Sequence, residues 1–366
     1  MKNYNDIRRV AINTGGGDAP GLNAVIRAAT LTALQNGWEV VGIRRGYMGL
    51  LVPDIDGEPG LVPLTGDTIS GITHLGGTIL GTTTRGNPFG LEVRQPDGTW
   101  GNEDRSEEII RRFREAQIDA LIAIGGDGSL RIAHILFQQG LRVVGVPKTI
   151  DNDLAATDVT FGFQTAVEVA TDAIGRLHST AEAHQRVMVV QVMGRHTGWI
   201  AMESGLAGGA DVILIPEIPY STAEIVKKIR ERERTGRRFS IVVVAEGARP
   251  AGGEPSFVGE TKRYGGIAER LAAEIEEQSG KETRTLVLGH IQRGGSPIPY
   301  DRNLALRFGA AAVRCVERGN YGCMVALQGN TIRAVPLGDA IQETKKVPVD
   351  GELVLTARRL GICFGD

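Results

Sequence analysis

The sequence predicts an α/β protein made of two similar three-layer domains with mostly parallel sheets. Three observations lead there. Short apolar runs alternate with stretches of helical period along most of the chain, the pattern of βαβ units. Glycines, acids and arginines follow the strand-like runs almost every time, and sheets of this kind bind ligands beyond the carboxyl ends of their strands. At 366 residues and 42% hydrophobic, the chain is long and apolar enough for two ordinary domains with full cores.

Taken in order, 10–13 reads as a strand, followed by a glycine turn and a helix over 22–35. A strand over 39–43 comes next, then a loop over 52–65 that carries three prolines. A helix over 109–116 leads into a strand over 120–124, a second glycine turn, a helix over 131–139 and a strand over 143–146. Past a loop at 147–158, the alternation resumes with helices over 165–179, 197–207, 222–232 and 265–279. Strands over 187–192, 212–215, 240–245 and 285–289 separate them, and a long helix fills 302–318. The stretch 251–262, rich in Gly, Pro and Ser, reads as a surface loop.

Aromatics are only 5%, so the cores are aliphatic, and 50 glycines imply many tight turns and close backbone approaches. The net charge of −2 gives no footprint for nucleic acid or a membrane surface. Arg230, Arg232, Arg234, Arg237 and Arg238 alternate with Glu231 and Glu233, as on a solvated helix end. The three cysteines, Cys315, Cys323 and Cys363, form no CxxC pair, which argues against a disulfide scaffold or zinc ribbon and fits a reducing cytoplasm. Residues 1–9 are polar and lack an apolar signal core. No run approaches the roughly 18 apolar residues of a membrane span.

Three post-strand segments carry the chemistry. The first, Thr14-Gly15-Gly16-Gly17-Asp18-Ala19-Pro20-Gly21, leaves backbone N–H groups bare at a helix start, which suits an anion; it also suits a purely structural turn. The second, Gly125-Gly126-Asp127-Gly128-Ser129, adds a carboxylate. That group makes sense beside phosphates if Mg²⁺ stands between them, and equally as a helix cap. The third, Pro147-Lys148-Thr149-Ile150-Asp151-Asn152-Asp153, offers carboxylates that can take a proton from an alcohol, or that merely shape a turn. Further on, Arg186, Arg195, Arg284, Arg293 and His290 sit at strand edges with Glu246, a set suited to a dianionic sugar phosphate; taken singly, each arginine also suits a surface ion pair and the histidine a structural place.

Together the segments 16–23, 125–129, 147–153, Met193-Gly194-Arg195 and 289–297 resemble the 6-phosphofructokinase family, in order from about residue 10 to 302. The resemblance implies Asp151 as general base toward the 1-hydroxyl of fructose 6-phosphate, with Thr149 and Asp153 around the transferring phosphoryl. It implies Asp127 as the Mg²⁺ site and Gly17, Gly126, Gly128 and Ser129 as the donor-phosphate cradle. Arg195 is implied to contact the phosphoryl in flight. Ile150, Met193, Gly194, Glu246, His290 and Arg293 join the sugar-phosphate pocket. Arg186 and Arg284 resemble arginines supplied across a subunit interface, which implies a homodimer or homotetramer. Arg85 matches a donor-side arginine, although the run 81–85 is one residue longer than the usual pattern.

The resemblance also bears on the donor. Where pyrophosphate users carry Asp, this chain has Gly128, which leaves space for the α-phosphate of ATP. Lys148 stands where many bacterial ATP enzymes carry glycine, and resembles pyrophosphate users. The expectation is ATP. Arg27 matches one effector-site arginine, but Leu31 replaces the second and 51–65 has none, so regulation by ADP and phosphoenolpyruvate is expected to be weak or absent. The expected organisation is a donor domain over 1–150 with part of 290–330 returning to it, a sugar-phosphate domain over 151–289, and a C-terminal segment over 331–366. Three other readings are a pyrophosphate-dependent reversible enzyme, a sugar-phosphate-binding regulatory subunit without turnover, and a lipid or NAD kinase. The last shares the Gly-Gly-Asp-Gly turn but leaves 289–294 unexplained.

Overall fold

The computed structural model describes residues 7–52, 54–55, 57–259 and 263–366. The first six residues of the polar N-terminus, two positions of the 52–65 loop and three of the 251–262 loop lie outside them.

In chain order the main elements are β1 (Arg9–Thr14), α1 (Leu22–Gln35), β2 (Glu39–Ile43), β3 (Leu61–Pro63), α2 (Ser106–Glu115), β4 (Ala120–Gly125), α3 (Asp127–Gln138) and β5 (Val143–Pro147). Then come α4 (Phe163–His184), β6 (Val187–Val192), α5 (Trp199–Ala207), β7 (Val212–Leu214), α6 (Thr222–Arg234), β8 (Ser240–Ala245), α7 (Ile267–Ser279) and β9 (Thr283–Val287). The chain finishes with α8 (Pro299–Glu317), β10 (Cys323–Gln328), β11 (Thr331–Pro336) and α9 (Glu352–Arg359).

The chain divides into two compact units. Unit 1 comprises 1–149, 154–162 and 293–343, and unit 2 comprises 150–153, 163–292 and 344–366. Unit 1 carries a seven-stranded sheet in the order β11-β10-β5-β4-β1-β2-β3. Its interior strands are parallel and in register, Val10 facing Ala120 and Leu121 facing Val143. Only β3 and β11, at the two edges, run antiparallel. Every residue of β4 and β5 is buried, as both-face coverage of a parallel sheet requires. The period of two sorts them. Ile122, Ile124, Val144 and Val146 pack with α1 and Phe308 of α8, while Leu121, Ala123 and Val143 pack with Ile109, Phe113 and Leu130 on the other face. Unit 2 repeats the plan on a smaller scale, with an all-parallel sheet in the order β7-β8-β6-β9. Val187, Val189, Val242 and Val244 meet Ile225, Ile229, Leu271 and Ile275 of α6 and α7. The expected α/β class with parallel-dominated sheets holds.

Several boundaries differ from expectation. Helix α3 begins at Asp127 rather than 131, so Asp127, Gly128 and Ser129 form its first turn. The acid there opposes the positive end of the helix dipole, and extended Gly126 precedes it. Helix α8 starts at Pro299, the residue type suited to a first helical position. Strand β9 lies two residues earlier than 285–289. Short antiparallel pairs occupy parts of the two expected loops. Arg232, read as part of a solvated cluster, is half-buried with its guanidinium 2.5 Å from Asp211 and the Phe239 ring beneath it. All three cysteines are unbridged, and among the described residues no helix is long and apolar enough to cross a membrane.

Candidate active site

In unit 1 the three post-strand segments meet. The N–H of Gly15 donates to Ile124 O at 2.9 Å, and the N–H of Lys148 donates to Gly125 O at 2.9 Å, joining the ends of β1, β4 and β5. Ser129 fills the gap between the glycine turns. A Cβ on Gly15 would fall 2.6 Å from its Oγ, and one on Gly125 would fall 2.3 Å from its Cβ. Gly125 therefore has no space for a side chain, and one at Gly15 would have to displace the Ser129 hydroxyl. At Gly21 the reason is conformational as well. It holds φ +110° at the start of α1, with the Phe161 ring 2.8 Å from where a Cβ would stand.

The first turn is braced from outside at three successive carbonyls. Thr82 Oγ1 donates to Gly16 O at 2.6 Å, the Lys148 ammonium donates to Gly17 O, and Arg293 donates to Asp18 O at 3.0 Å. In a trans peptide the N–H opposes the C=O. The N–H groups of Gly17, Asp18 and Ala19 are thus directed away from these three side chains. Lys148 is buried, at 3% exposure, with its ammonium against the first turn. Arg293, expected in the sugar-phosphate set, here holds the first turn. Arg85 is exposed, with its N–H on Thr83 Oγ1, and Thr83 O in turn accepts the N–H of Gly16.

Asp127 is a part-exposed carboxylate 2.9 Å from the Nε of Arg131, four residues on. At Gly128, one position along, a Cβ would meet nothing within 4 Å. Among the described residues no three His, Cys, Asp or Glu side chains gather to hold a metal. Mg²⁺ takes one or two carboxylates and completes its octahedron with water and substrate phosphates, so a single part-exposed carboxylate such as Asp127 fits that ion. Thr149 is buried and its carbonyl accepts Thr160 Oγ1 at 2.7 Å.

The division between the units falls between Thr149 and Ile150, so the third segment contributes to both. In unit 2, Ile150 and Asn152 are buried, and Asp151 and Asp153 are half-buried. Thr197 Oγ1 donates to Asp151 O at 3.2 Å. Met193 and Gly194 leave the end of β6, and Glu246 and Gly247 leave the end of β8 beside it; Gly247 N donates to Gly194 O at 2.9 Å. Arg195 Nε lies 3.4 Å from the largely buried Glu246. Gly247 is packed so closely that a Cβ would stand 1.9 Å from Arg195 O. His290 is exposed on a short 3₁₀ turn, and the buried amide of Gln292 in that turn accepts from the N–H of Met193. Arg186 donates to Glu282 at 2.6 Å, and Arg284 pairs with the same carboxylate. The Arg186 guanidinium holds the Glu282 carboxyl below its ordinary range.

The motif reading missed Thr82, Gln292 and Glu282. Thr82 lay inside the flagged run 81–85, and Gln292 and Glu282 stood beside flagged arginines. Only their hydrogen-bond partners reveal what they do, and each has one that is distant in sequence: Gly16 for Thr82, Met193 for Gln292 and Arg186 for Glu282.

A family model described as phosphofructokinase matches residues 9–316. The ATP-dependent 6-phosphofructokinase of Chloroflexus aurantiacus is 53% identical over 359 residues, 98% of each chain. The phosphofructokinase of Pichia pastoris, solved in its T-state, superposes with a TM-score of 0.79 at 32% identity, over 93% of this chain and 36% of that longer one. The pyrophosphate-dependent phosphofructokinase of Marinobacter aquaeolei has the same fold, with a TM-score of 0.79 at 23% identity, over 98% of this chain and 88% of that one. A sequence match that runs from β1 nearly to the end of α8, on a shared architecture, means that the chain belongs to the phosphofructokinase family.

Proposed function

We infer that this protein is an ATP-dependent 6-phosphofructokinase, transferring the γ-phosphoryl of ATP to the 1-hydroxyl of fructose 6-phosphate. The observation that carries the reading is 53% identity over 98% of the chain to a relative of that name. Gly128 supports ATP over pyrophosphate, because the position carries no carboxylate and a Cβ built there would meet nothing within 4 Å. Lys148, the residue that pointed toward pyrophosphate, has another account: it is engaged with Gly17 O.

In this reading the braced N–H groups of the first turn, with Gly126, Gly128 and Ser129 at the start of α3, take the donor phosphates. Arg85 lies on the donor side. Asp127 would hold Mg²⁺, which when bound would neutralise donor charge and orient the phosphates. Asp151 accepts the proton of the 1-hydroxyl, Thr149 and Asp153 flank the phosphoryl, and Arg195 offsets its negative charge. Ile150, Met193, Gly194, Glu246 and His290 form the sugar-phosphate pocket. Arg293 keeps donor groups beyond the one used on Asp18, since a guanidinium carries five, and these are assigned to the sugar phosphate. Glu282 keeps Arg186 and Arg284 together, ready for the sugar phosphate of a second copy in a homodimer or homotetramer. The protein acts in the cytoplasm as a step of glycolysis.

Purified protein assayed with fructose 6-phosphate, Mg²⁺ and either donor tests this. Turnover with ATP, abolished by chelating the metal and restored by added Mg²⁺, is expected. Asp151→Asn is expected to lower kcat by roughly 10²–10⁴. Turnover with pyrophosphate alone would overturn the donor assignment, and full activity of Asp151→Asn would overturn the mechanism.

A further inference from the structure

The C-terminal stretch 344–366 belongs to the same unit as the loop 150–153. Within that unit Lys345 is tied to the loop twice. Its Nζ donates to Asn152 Oδ1 at 3.0 Å, and its backbone N–H donates to Asp153 O at 2.9 Å. Asn152 is 2% exposed and sits in the left-handed region at φ +51°, a conformation that asparagine tolerates better than most residues. Together with Thr197 on Asp151 O, these bonds hold three consecutive residues of the loop.

Lys345 is itself fixed. Its ammonium lies 5.6 Å from the centre of the Trp199 ring, and its carbonyl accepts the indole N–H of the same tryptophan at 2.8 Å. Two residues on, the N–H of Val347 donates to Glu217 at 2.9 Å, and that carboxylate also receives the N–H of Gly198. Ordering a lysine this fully sacrifices most of its rotamer freedom, which an ordinary surface lysine keeps. The return is a loop held at three consecutive residues.

We propose that Lys345 is a positioning residue for phosphoryl transfer, holding Asn152 and Asp153 so that the backbone between them and Thr149 aims the carboxylate of Asp151. This rests on the reading of Asp151 as the proton acceptor. Lys345 touches no reacting atom in this scheme. It acts through the loop, and its removal should therefore appear in kcat.

The test uses full-length Lys345→Met, Lys345→Arg, Asn152→Gly and the Lys345→Met/Asn152→Gly double variant. Methionine keeps an unbranched stem over Trp199 and deletes the ammonium; glycine keeps the left-handed backbone and deletes the acceptor. Unaltered protein is assayed first. Its failure to turn over fructose 6-phosphate with either donor would defeat the parent reading and this proposal with it. With the unaltered protein active, Lys345→Met is expected to lose roughly 10–100-fold in kcat. KM for ATP should stay within about twofold and the melting temperature within about 3 °C, as for a lost contact that spares the core. Arginine should restore most of kcat, and the double variant should be no slower than the slower single one. Three results would overturn this proposal while leaving the parent reading intact: kcat of Lys345→Met within about twofold of wild type, losses that multiply in the double variant, or a fall in kcat that follows lost folding and that arginine does not relieve.

Discussion

Gly128 allows donor choice to be tested without disturbing the fold. A Cβ there meets nothing within 4 Å, and the residue is the second of α3. Replacing it by aspartate should cost no stability. Aspartate is a better helix residue than glycine by about 0.3 kcal/mol. A negative charge in the first turn adds about 0.3–1 kcal/mol through the helix dipole. The melting temperature should hold or rise by a few degrees. Toward ATP the same carboxylate is repulsive. Two unit charges about 5 Å apart at an effective dielectric of about 20 repel by about 3 kcal/mol. That corresponds to a loss of roughly two to three orders of magnitude in kcat/KM. The assay is a coupled measurement of fructose 1,6-bisphosphate with ATP and with pyrophosphate, beside a thermal melt. The expected result is a selective loss with ATP in a protein as stable as wild type. An ATP kcat/KM within fivefold of wild type would refute the assignment of this position to the α-phosphate. A melting temperature lowered by more than about 5 °C would refute the reading of open space.

Two further perturbations probe unit 2. Gly247→Ala puts a Cβ 1.9 Å from Arg195 O, a backbone clash that only movement of the strand exits relieves. It should destabilise the protein by about 1–3 kcal/mol in urea unfolding and raise KM for fructose 6-phosphate, and an unchanged midpoint would contradict the geometry. Burial raises the Glu203 carboxyl above its ordinary 4.5, outweighing the hydrogen bond from Gln164 and the charge of Lys345. The folded protein therefore keeps this proton to higher pH than the unfolded chain, and its contribution to stability, complete below 4.5, is lost as pH rises through the raised value. Glu203→Gln should melt with wild type at acid pH and at or above it at pH 8, so a lower melting temperature at pH 8 would count against the assignment.

Much of this architecture is legible in the sequence because parallel strands buried on both faces read as continuous apolar runs. Residues 187–192 and 240–245 have the expected bounds, as do 22–35 and 39–43. The start of α3 was misplaced because Gly-Asp-Gly-Ser has the composition of a turn, while the dipole and the absence of proline let it form helix. The pair β10 and β11 was split between two expected regions. The cut fell at 330/331, between two strands that pair Gln328 with Thr331. The site was readable as motifs, but its bracing was not. Lys148 resembles pyrophosphate users until its contact with Gly17 is seen, and Lys345 lies in none of the motifs. Both act on residues more than a hundred positions away, a distance that no local pattern encodes.

The order of strands in unit 1 sets a timetable for biosynthesis. Strand β5 ends at Pro147, yet the neighbour that covers its outer edge is β10, where Cys323 faces Val144 and Met324 faces Gly145. While the ribosome adds residues 148 to 322, that edge offers unpaired peptide groups and bare valines. At about 5–20 residues per second the delay is on the order of ten seconds or more. A translation product that stops before residue 323 would carry β5 without the strand that covers its outer edge, and an unpaired edge is a template for pairing with another chain.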